Sequence, residues 1–563
     1  MYRKLSAKLI EYIGDKVKLE QKDSFMILTG EVDSWDEAYS CAKLISDKKK
    51  RYRVVNNIKC KELENVTTRE PILKTDKLQG LNLDVLIIGG GVIGTSVARE
   101  LSKYNLDIML VEKEHDVAMH ASSRNDGQVH PGIDMKKGLI KYDYMLKGNE
   151  AYDRISKELD VKFERCGQYV LIDNNTQKFF YPFMKLKKWQ MFGVKTKFIS
   201  KKKLYEIEPN INKGYKCAVF FPTCGIVSPY KLSIAYAENA IQNGVKICLD
   251  TQVLAMSVDD NKIVSVETNQ GTIFPKLVIN CAGVYSEQVA KMANDHTFSI
   301  HPRRGNIIIT DKKASAKVGI LVSPLSAISK KKHSKGGAIL PTVDGNLLIG
   351  PDAHETYDKE NVDTYKSEVE ILMDKHKKTI DNLNMSDVIT YFSGVRAPTY
   401  EEDFIIEFGY YTKNIYHVAG IQSPGLTAAP AISEKVAKEV ASVYFNATLK
   451  QDFNPLRKEI VNPKLLSVQD RDKLIKTNPD YGKIVCRCEE ISKGEILDAI
   501  NRNLACDTLF GVKRRVRAGM GRCQGGFCSP NVLKIIAQDK SKKMSEINQN
   551  ELGSEVIVVD QRG

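Results

Sequence analysis

LDVLIIGGGVIGTSVARELSKYNLDIMLVEK, residues 83–113, reads as a βαβ unit. Val85 to Ile88 form a continuous apolar run, the pattern of a parallel strand buried on both faces. Gly89, Gly91 and Gly94 give G-x-G-x-x-G at the strand-to-helix turn. The first glycine permits the tight turn, the second lets backbone approach a pyrophosphate, and the third lets helix and strand pack closely. The helix N-terminus then presents its positive end to the phosphates. Glu112 closes the second strand eighteen residues after Gly94, where a carboxylate accepts hydrogen bonds from ribose hydroxyls. Strand, glycines, helix, strand and acid together point to dinucleotide binding; a ligand-free glycine turn needs only the glycines.

The rest of the composition sets bounds. A chain of 563 residues predicts two to four domains. With 42% hydrophobic and 27% charged residues it has the makings of sizeable cores. No run of 18 apolar residues is present to span a bilayer. MYRKLSAKLIEYIGDKVKLE at the N-terminus is amphipathic and carries acids, unlike a signal peptide. Twelve cysteines without an export signal predict a reducing cytoplasm and thiols used for metal or redox chemistry. The formal charge is +14. Its basic residues are scattered, apart from short runs at 46–53 and 329–337, which predicts a lysine-rich surface and no nucleic-acid partner. Such a surface still attracts anionic substrates or acidic partners.

Around the βαβ unit the chain divides readily. Residues 1–60 predict a small α/β domain, with a helix at AKLIEYIG, strands at KVKLEQ and SFMILTGEV, a helix capped by Ser34 and Glu37, and a closing strand at YRVVNNIK. That order resembles the BON domain, which implies docking to another macromolecule or a phospholipid surface. Residues 59–82 and 446–482 read as polar linkers. The main body spans 83–445, a cysteine domain 483–535 and a C-terminal tail 536–563. The expected class is mixed α/β and α+β, with a Rossmann-type nucleotide domain interleaved with an antiparallel-sheet substrate domain.

After Glu112, Ser122, Asn125, Gly127, His130 and Gly132 fall in S-x-x-N-x-G-x-x-H-x-G. VINCAGVYS (278–286), HPRRGNIII (301–309), PTVDGNLLIGPDA (341–353), YFSGVRAP (391–398) and HVAGIQSPGLTAAPAIS (417–433) follow. In this order they resemble FAD-dependent oxidoreductases of the D-amino-acid oxidase superfamily, in the branch of glycerol-3-phosphate and L-2-hydroxyglutarate dehydrogenases. The resemblance implies FAD, with contacts from Gly89, Gly91, Gly94, Glu112, Ser122, Asn125, Gly127, Ala282, Gly283, Gly420, Ser423, Gly425, Leu426 and Thr427. A helix beginning near Leu426 would aim its N-terminus at the flavin. Oxidising an alcohol needs a base for the hydroxyl proton, and histidine titrates near neutrality. The resemblance assigns that task to His130 and the binding of an anionic substrate to Arg396, then Arg304, with Arg303 as its substitute.

Cys486 and Cys488 form C-x-C, and after 34 intervening residues Cys523 and Cys528 form C-x4-C. C-x-C is awkward for structural zinc, and four thiolates equally suit [2Fe–2S]; zinc, iron–sulfur and free thiols all stay open on spacing. VCRCEEISKGEI and RAGMGRCQGGFC resemble the bacterioferritin-associated-ferredoxin type of [2Fe–2S] domain. That implies a cluster on these four cysteines, with Lys513, Arg514, Arg515, Arg517 and Arg522 offsetting its charge. The two domains in one chain resemble the large catalytic subunit of anaerobic glycerol-3-phosphate dehydrogenase. The implied function is oxidation of sn-glycerol 3-phosphate, with electrons passed to an acceptor protein or quinone-linked subunit. A 2-hydroxy-acid or amino-acid dehydrogenase, and a non-catalytic electron-transfer or redox-sensing protein, are the alternatives. The same reading expects a cytoplasmic protein with peripheral membrane contact and leaves the oligomeric state open.

Overall fold

Leu81–Ile88 is the middle of an eight-stranded sheet. Lys246–Cys248, Ile108–Val111, Leu81–Ile88 and Gly271–Asn280 lie side by side and parallel. The far end of Gly271–Asn280 pairs in parallel with Ile415–Ala419, while its start folds back on Lys262–Thr268. Alternation explains the unbroken apolar run. Val85 and Ile87 enter one core with helices Val92–Leu101, Pro229–Gln242 and Gly425–Ala437. Leu86 and Ile88 enter a second core with Val253, Ile273 and Val289 on the other face. The computed structural model describes all residues except 48–50, 65, 67–68, 134, 136, 174–189, 192, 326–336 and 558–563. Most of the lysine run at 329–337, and part of that at 46–53, lies outside the described residues.

A nine-stranded sheet forms the second half of the main body. Its strands alternate in sequence with those of the first sheet, so the chain crosses between the halves several times. Pairing is antiparallel except where Leu321–Pro324 runs parallel to Gln168–Ile172. Arg303–Thr310 pairs along its length with Val388–Arg396, a ladder that matters for the site.

Residues 1–60 fold around Phe25–Val32, antiparallel to Val17–Lys22 and parallel to Arg53–Cys60, with helices Tyr2–Ile13 and Trp35–Ile45. The capping box of Ser34 and Glu37 forms. This unit docks on the main body through Arg53, which grips Glu407 at 2.5 and 2.8 Å, and through Val54 N–H, which donates to Glu401 at 2.7 Å. Tyr400 completes its core.

The described residues of the two polar stretches are strapped to the main body. Leu78 N–H donates to Gln270 O at 2.7 Å, and Arg457 Nε donates to Glu238 at 2.5 Å. Polar composition here reflects backbone and side chains bonded along a surface. In the C-terminal domain, helices Lys493–Ile500, Leu509–Val516 and Ser529–Asp539 enclose Ile496, Ile500, Val512, Val532 and Ile536. The last helix runs through the boundary expected at 535, and Ile547 of the expected tail joins the core. Among the described residues no helix is long and apolar enough to cross a membrane.

Candidate active site and cysteine centre

The glycine turn is built for close approach. Gly89 has φ 106°, and a Cβ there would lie 2.6 Å from Cys281 O. A Cβ on Gly94 would lie 1.9 Å from Gly89 O, so helix and strand touch only because neither carries a side chain. Cys281 and Ala282 close the turn just past the end of the neighbouring strand, and Gly283, with φ 56°, follows them in open space. Ser122 Oγ accepts from Val92 N–H at 2.8 Å at the mouth of the helix. Buried Glu112 accepts from Gly90 N–H at 2.5 Å and Glu114 N–H at 3.0 Å, and burial raises its pKa. Asn125 accepts from Gly127 N–H at 2.9 Å, and Gly127 approaches Val227 O so closely that a Cβ would lie at 2.3 Å. Side-chain-free turn, helix N-terminus and strand-end carboxylate fit a dinucleotide such as FAD.

The structure brings His130 against the QSPGLT stretch. His130 N–H donates to Thr427 Oγ1 at 2.9 Å, its carbonyl accepts from Asn149 at 2.9 Å, and its Nε2 lies 3.2 Å from Ser423 Oγ. Ser423 stands just before the helix that starts at Gly425, and Leu426 O is held by Tyr152 OH at 2.6 Å. Gly420, with φ 67°, lets this turn pass Asp403 O.

Strand register sorts the arginines. Arg303 stands opposite Arg396 in the antiparallel ladder, so the two share a face; Arg304, opposite Val395, points to the other. Arg304 Nη2 donates to both carboxylate oxygens of Glu368, at 2.6 and 2.8 Å, and the guanidinium lies over Tyr365. Its expected substrate role therefore gives way to a structural ion pair, and Arg303 is the one that accompanies Arg396. Arg303 is held by Glu355 and Glu402, each at 2.7 Å, and Gln422, next to Ser423, donates to Glu402 at 2.7 Å. Arg396 crosses Gly305, where a Cβ would lie 2.1 Å from its Nη2, and donates to Asp352 O. It is half-buried, and among the described residues no carboxylate comes within salt-bridge distance. Burial and the charge of Arg303 push its pKa down to about 10, so it stays cationic at neutral pH. Arg303 is legible in sequence only as the substitute for Arg304, and residues 355, 402 and 422 have no separate signal there beyond the nearness of Gln422 to Ser423.

The four cysteines converge. Cys488 and Cys523 sulfurs are 3.5 Å apart, and Cys528 donates to Cys486. That bond lowers the pKa of Cys486 to about 6 and raises that of Cys528. Gly519 and Glu489 N–H groups point at Cys486, and those of Phe527 and Gly525 at Cys523. Gly521 approaches Cys488 so closely that a Cβ would lie 2.4 Å from its side chain. An all-sulfur set in two pairs, cradled by backbone donors, fits a four-thiolate centre. The expected counter-charges are largely used elsewhere: Arg514 and Arg515 bind Asp116, and Arg517 binds Glu489 and Asp344. Lys513, half-buried and within electrostatic reach of Cys528, remains beside the centre.

Asp116 belongs to the loop that follows Glu112. Arg514 also donates to Val117 O at 2.8 Å, and Ala118 N–H donates to Gly90 O at 2.9 Å in the glycine turn. The cysteine domain thus holds the loop that closes the nucleotide cradle. Burial pushes Asp116 up, but Arg514 and Arg515 outweigh it and hold its pKa at about 2.

The profile of the family "FAD dependent oxidoreductase" matches residues 84–439, and that of the "BFD-like [2Fe-2S] binding domain" matches 484–538. A glycerol 3-phosphate dehydrogenase of Caloramator mitchellensis is 41% identical over 84% of this chain and 98% of its own. A glycerol 3-phosphate oxidase of Mycoplasma pneumoniae is 29% identical over 66% of this chain and 97% of its own. Among solved structures, dithionite-reduced L-α-glycerophosphate oxidase from Mycoplasma pneumoniae with FAD bound superposes with a TM-score of 0.62, at 28% identity, covering 67% of this chain and 98% of that one.

Arg514→Ala should destabilise the docked domains, because it removes one of the two guanidinium partners of buried Asp116 and leaves the pairing to Arg515 alone, and should speed FAD release, read by flavin fluorescence. The pKa of Asp116 is depressed on folding from 3.8 to about 2. Its contribution is therefore complete above pH 3.8 and lost as pH falls through about 2. The stability gap between wild type and Asp116→Asn, measured by chemical denaturation, should narrow across that window.

Proposed function

This chain belongs to the FAD dependent oxidoreductase family, and we propose that it oxidises sn-glycerol 3-phosphate to dihydroxyacetone phosphate. The observation that carries the substrate is the match to a glycerol 3-phosphate dehydrogenase at 41% identity over nearly all of that relative. The geometry supports it. Arg396, cationic, half-buried and without a carboxylate partner among the described residues, is suited to an anionic group. Arg303, on the same face, adds positive potential while its own fork is held by Glu355 and Glu402.

His130 Nε2 takes the hydroxyl proton. Its backbone is pinned at both N–H and carbonyl, and Ser423 Oγ orients the ring from 3.2 Å. FAD, when bound, accepts the hydride; Gly89, Gly91, Gly94, Ser122 and Glu112 hold its adenosine diphosphate portion, and Gly425–Thr427 lie toward the flavin. Asn125 and Gly127 shape the loop that brings His130 in. Cys486, Cys488, Cys523 and Cys528 hold a [2Fe–2S] cluster that carries electrons singly to an acceptor. In the same proposal the enzyme works in the cytoplasm. Residues 1–60, BON-like in their helix and strand order, serve as a docking module with access to a membrane surface.

Anaerobic addition of glycerol 3-phosphate should bleach the flavin; bleaching by 2-hydroxyglutarate or proline alone would reverse the substrate assignment. His130→Gln should retain FAD and lose about 10²–10⁴-fold in turnover. Arg396→Ala should weaken substrate binding about ten- to a hundredfold, the loss of a charge-assisted hydrogen bond, with an unchanged flavin spectrum. Cys488→Ser should keep substrate bleaching and lose bound iron and sulfide. Zinc in place of iron in the wild-type protein would refute the electron-carrying role.

A further inference from the structure

The cysteine centre has an inner and an outer pole. Cys486 and Cys528 are 1% and 2% exposed, whereas Cys488 is exposed and Cys523 half-buried. The loop between them is fixed to the main body: Arg517 donates to Asp344 at 2.8 Å, and Tyr230 OH reaches Met520 sulfur at 3.4 Å. Only the Cys488–Cys523 side meets solvent freely.

At that side stands Phe527. Its N–H bonds the Cys523 sulfur, yet its ring is 82% exposed, more than any other large hydrophobic side chain among the described residues. A ring so placed gains nothing from this chain's own cores and offers apolar area to a partner. Lys483, Arg487 and Arg522 are exposed around the two cysteine segments, against one exposed acid, Glu490. Arg487 has no carboxylate within salt-bridge distance among the described residues, Arg522 reaches only Asp311, at 3.5 Å, and Lys483 pairs at 2.8 Å with Asp480 of its own segment.

We propose that this pole docks an acidic one-electron carrier protein, with Phe527 as the apolar centre and Arg487, Arg522 and Lys483 as the basic rim. A single anchor ring inside a charged border is the anatomy of a transient protein interface. The proposal rests on the [2Fe–2S] reading above. Each encounter moves one electron from the reduced cluster to the carrier, with no atom transferred, so two encounters clear one substrate.

The test uses the full-length holoenzyme and two acidic probes, a flavodoxin and a plant-type ferredoxin, with basic cytochrome c as contrast. Binding is followed by calorimetry at low and high ionic strength. At least one acidic probe should bind, and weaken steeply with salt. Phe527→Ala, and separately the Arg487→Glu, Arg522→Glu pair, should each reduce its affinity about tenfold or more while the visible and electron paramagnetic resonance spectra of the cluster stay unchanged. Binding by neither acidic probe, equal or better binding by cytochrome c, or indifference to charge reversal overturns the proposal. So does Phe527-dependent binding to vesicles of anionic lipid in place of the carriers. These readouts need no substrate. Failure of glycerol 3-phosphate to bleach the flavin strikes the dehydrogenase assignment alone, and a cluster-free protein strikes the iron–sulfur reading.

Discussion

Asp116, Arg514 and Arg515 place three charges in an interface where each is nearly inaccessible to water. Desolvating such a group is expensive, and only well-formed pairing offsets it. The carboxylate comes from the nucleotide half and both guanidinium groups from the cysteine domain, so the arrangement is favourable only when the two domains are docked. Docking in turn ties Val117 and Ala118 to Arg514 and, through Ala118 N–H, to Gly90 of the glycine turn. The placement of the cysteine centre and the closure of the nucleotide cradle therefore depend on one buried triad. Arg502 and Arg457 on Glu238, and Arg517 on Asp344, extend the same contact.

The substrate side is built with comparable economy. Two antiparallel strands put Arg303 opposite Arg396, and Gly305 gives the second guanidinium room. Glu402 links Arg303 to Gln422, one residue from the hydroxyl that orients His130. Lys43 of the N-terminal domain reaches Glu402 from behind at 3.4 Å, and Tyr39 packs on His301 and Tyr400. The N-terminal domain, outside both matched profiles, thus braces the loop that holds the site's charges.

What could be read in sequence was local. The βαβ unit, its glycines and Glu112 are legible because turn, helix start and strand end lie within one short stretch. The flavin loop and the QSPGLT turn are recognisable as segments, and the fold joins them through His130. Arg304 was preferred to Arg303 because face parity depends on register with a strand some ninety residues away, which a single sequence does not display. The charge cluster at 513–517 read as compensation for thiolates; that two of its members bind Asp116 is a tertiary fact. Polar composition likewise reads as linkers at 59–82 and 446–482, where Arg69 and Arg457 in fact bond Glu114 and Glu238 of the main body.

In the proposed route, substrate electrons leave the flavin through a cysteine-held cluster fixed by the docked domain. Rapid mixing of the holoenzyme with glycerol 3-phosphate under anaerobic conditions, followed by freezing and electron paramagnetic resonance, tests it most directly. A reduced [2Fe–2S] signal should grow as flavin absorbance falls, and should be delayed or lost in Arg514→Ala protein reloaded with FAD. A flavin that bleaches fully while the intact cluster remains oxidised would contradict the account.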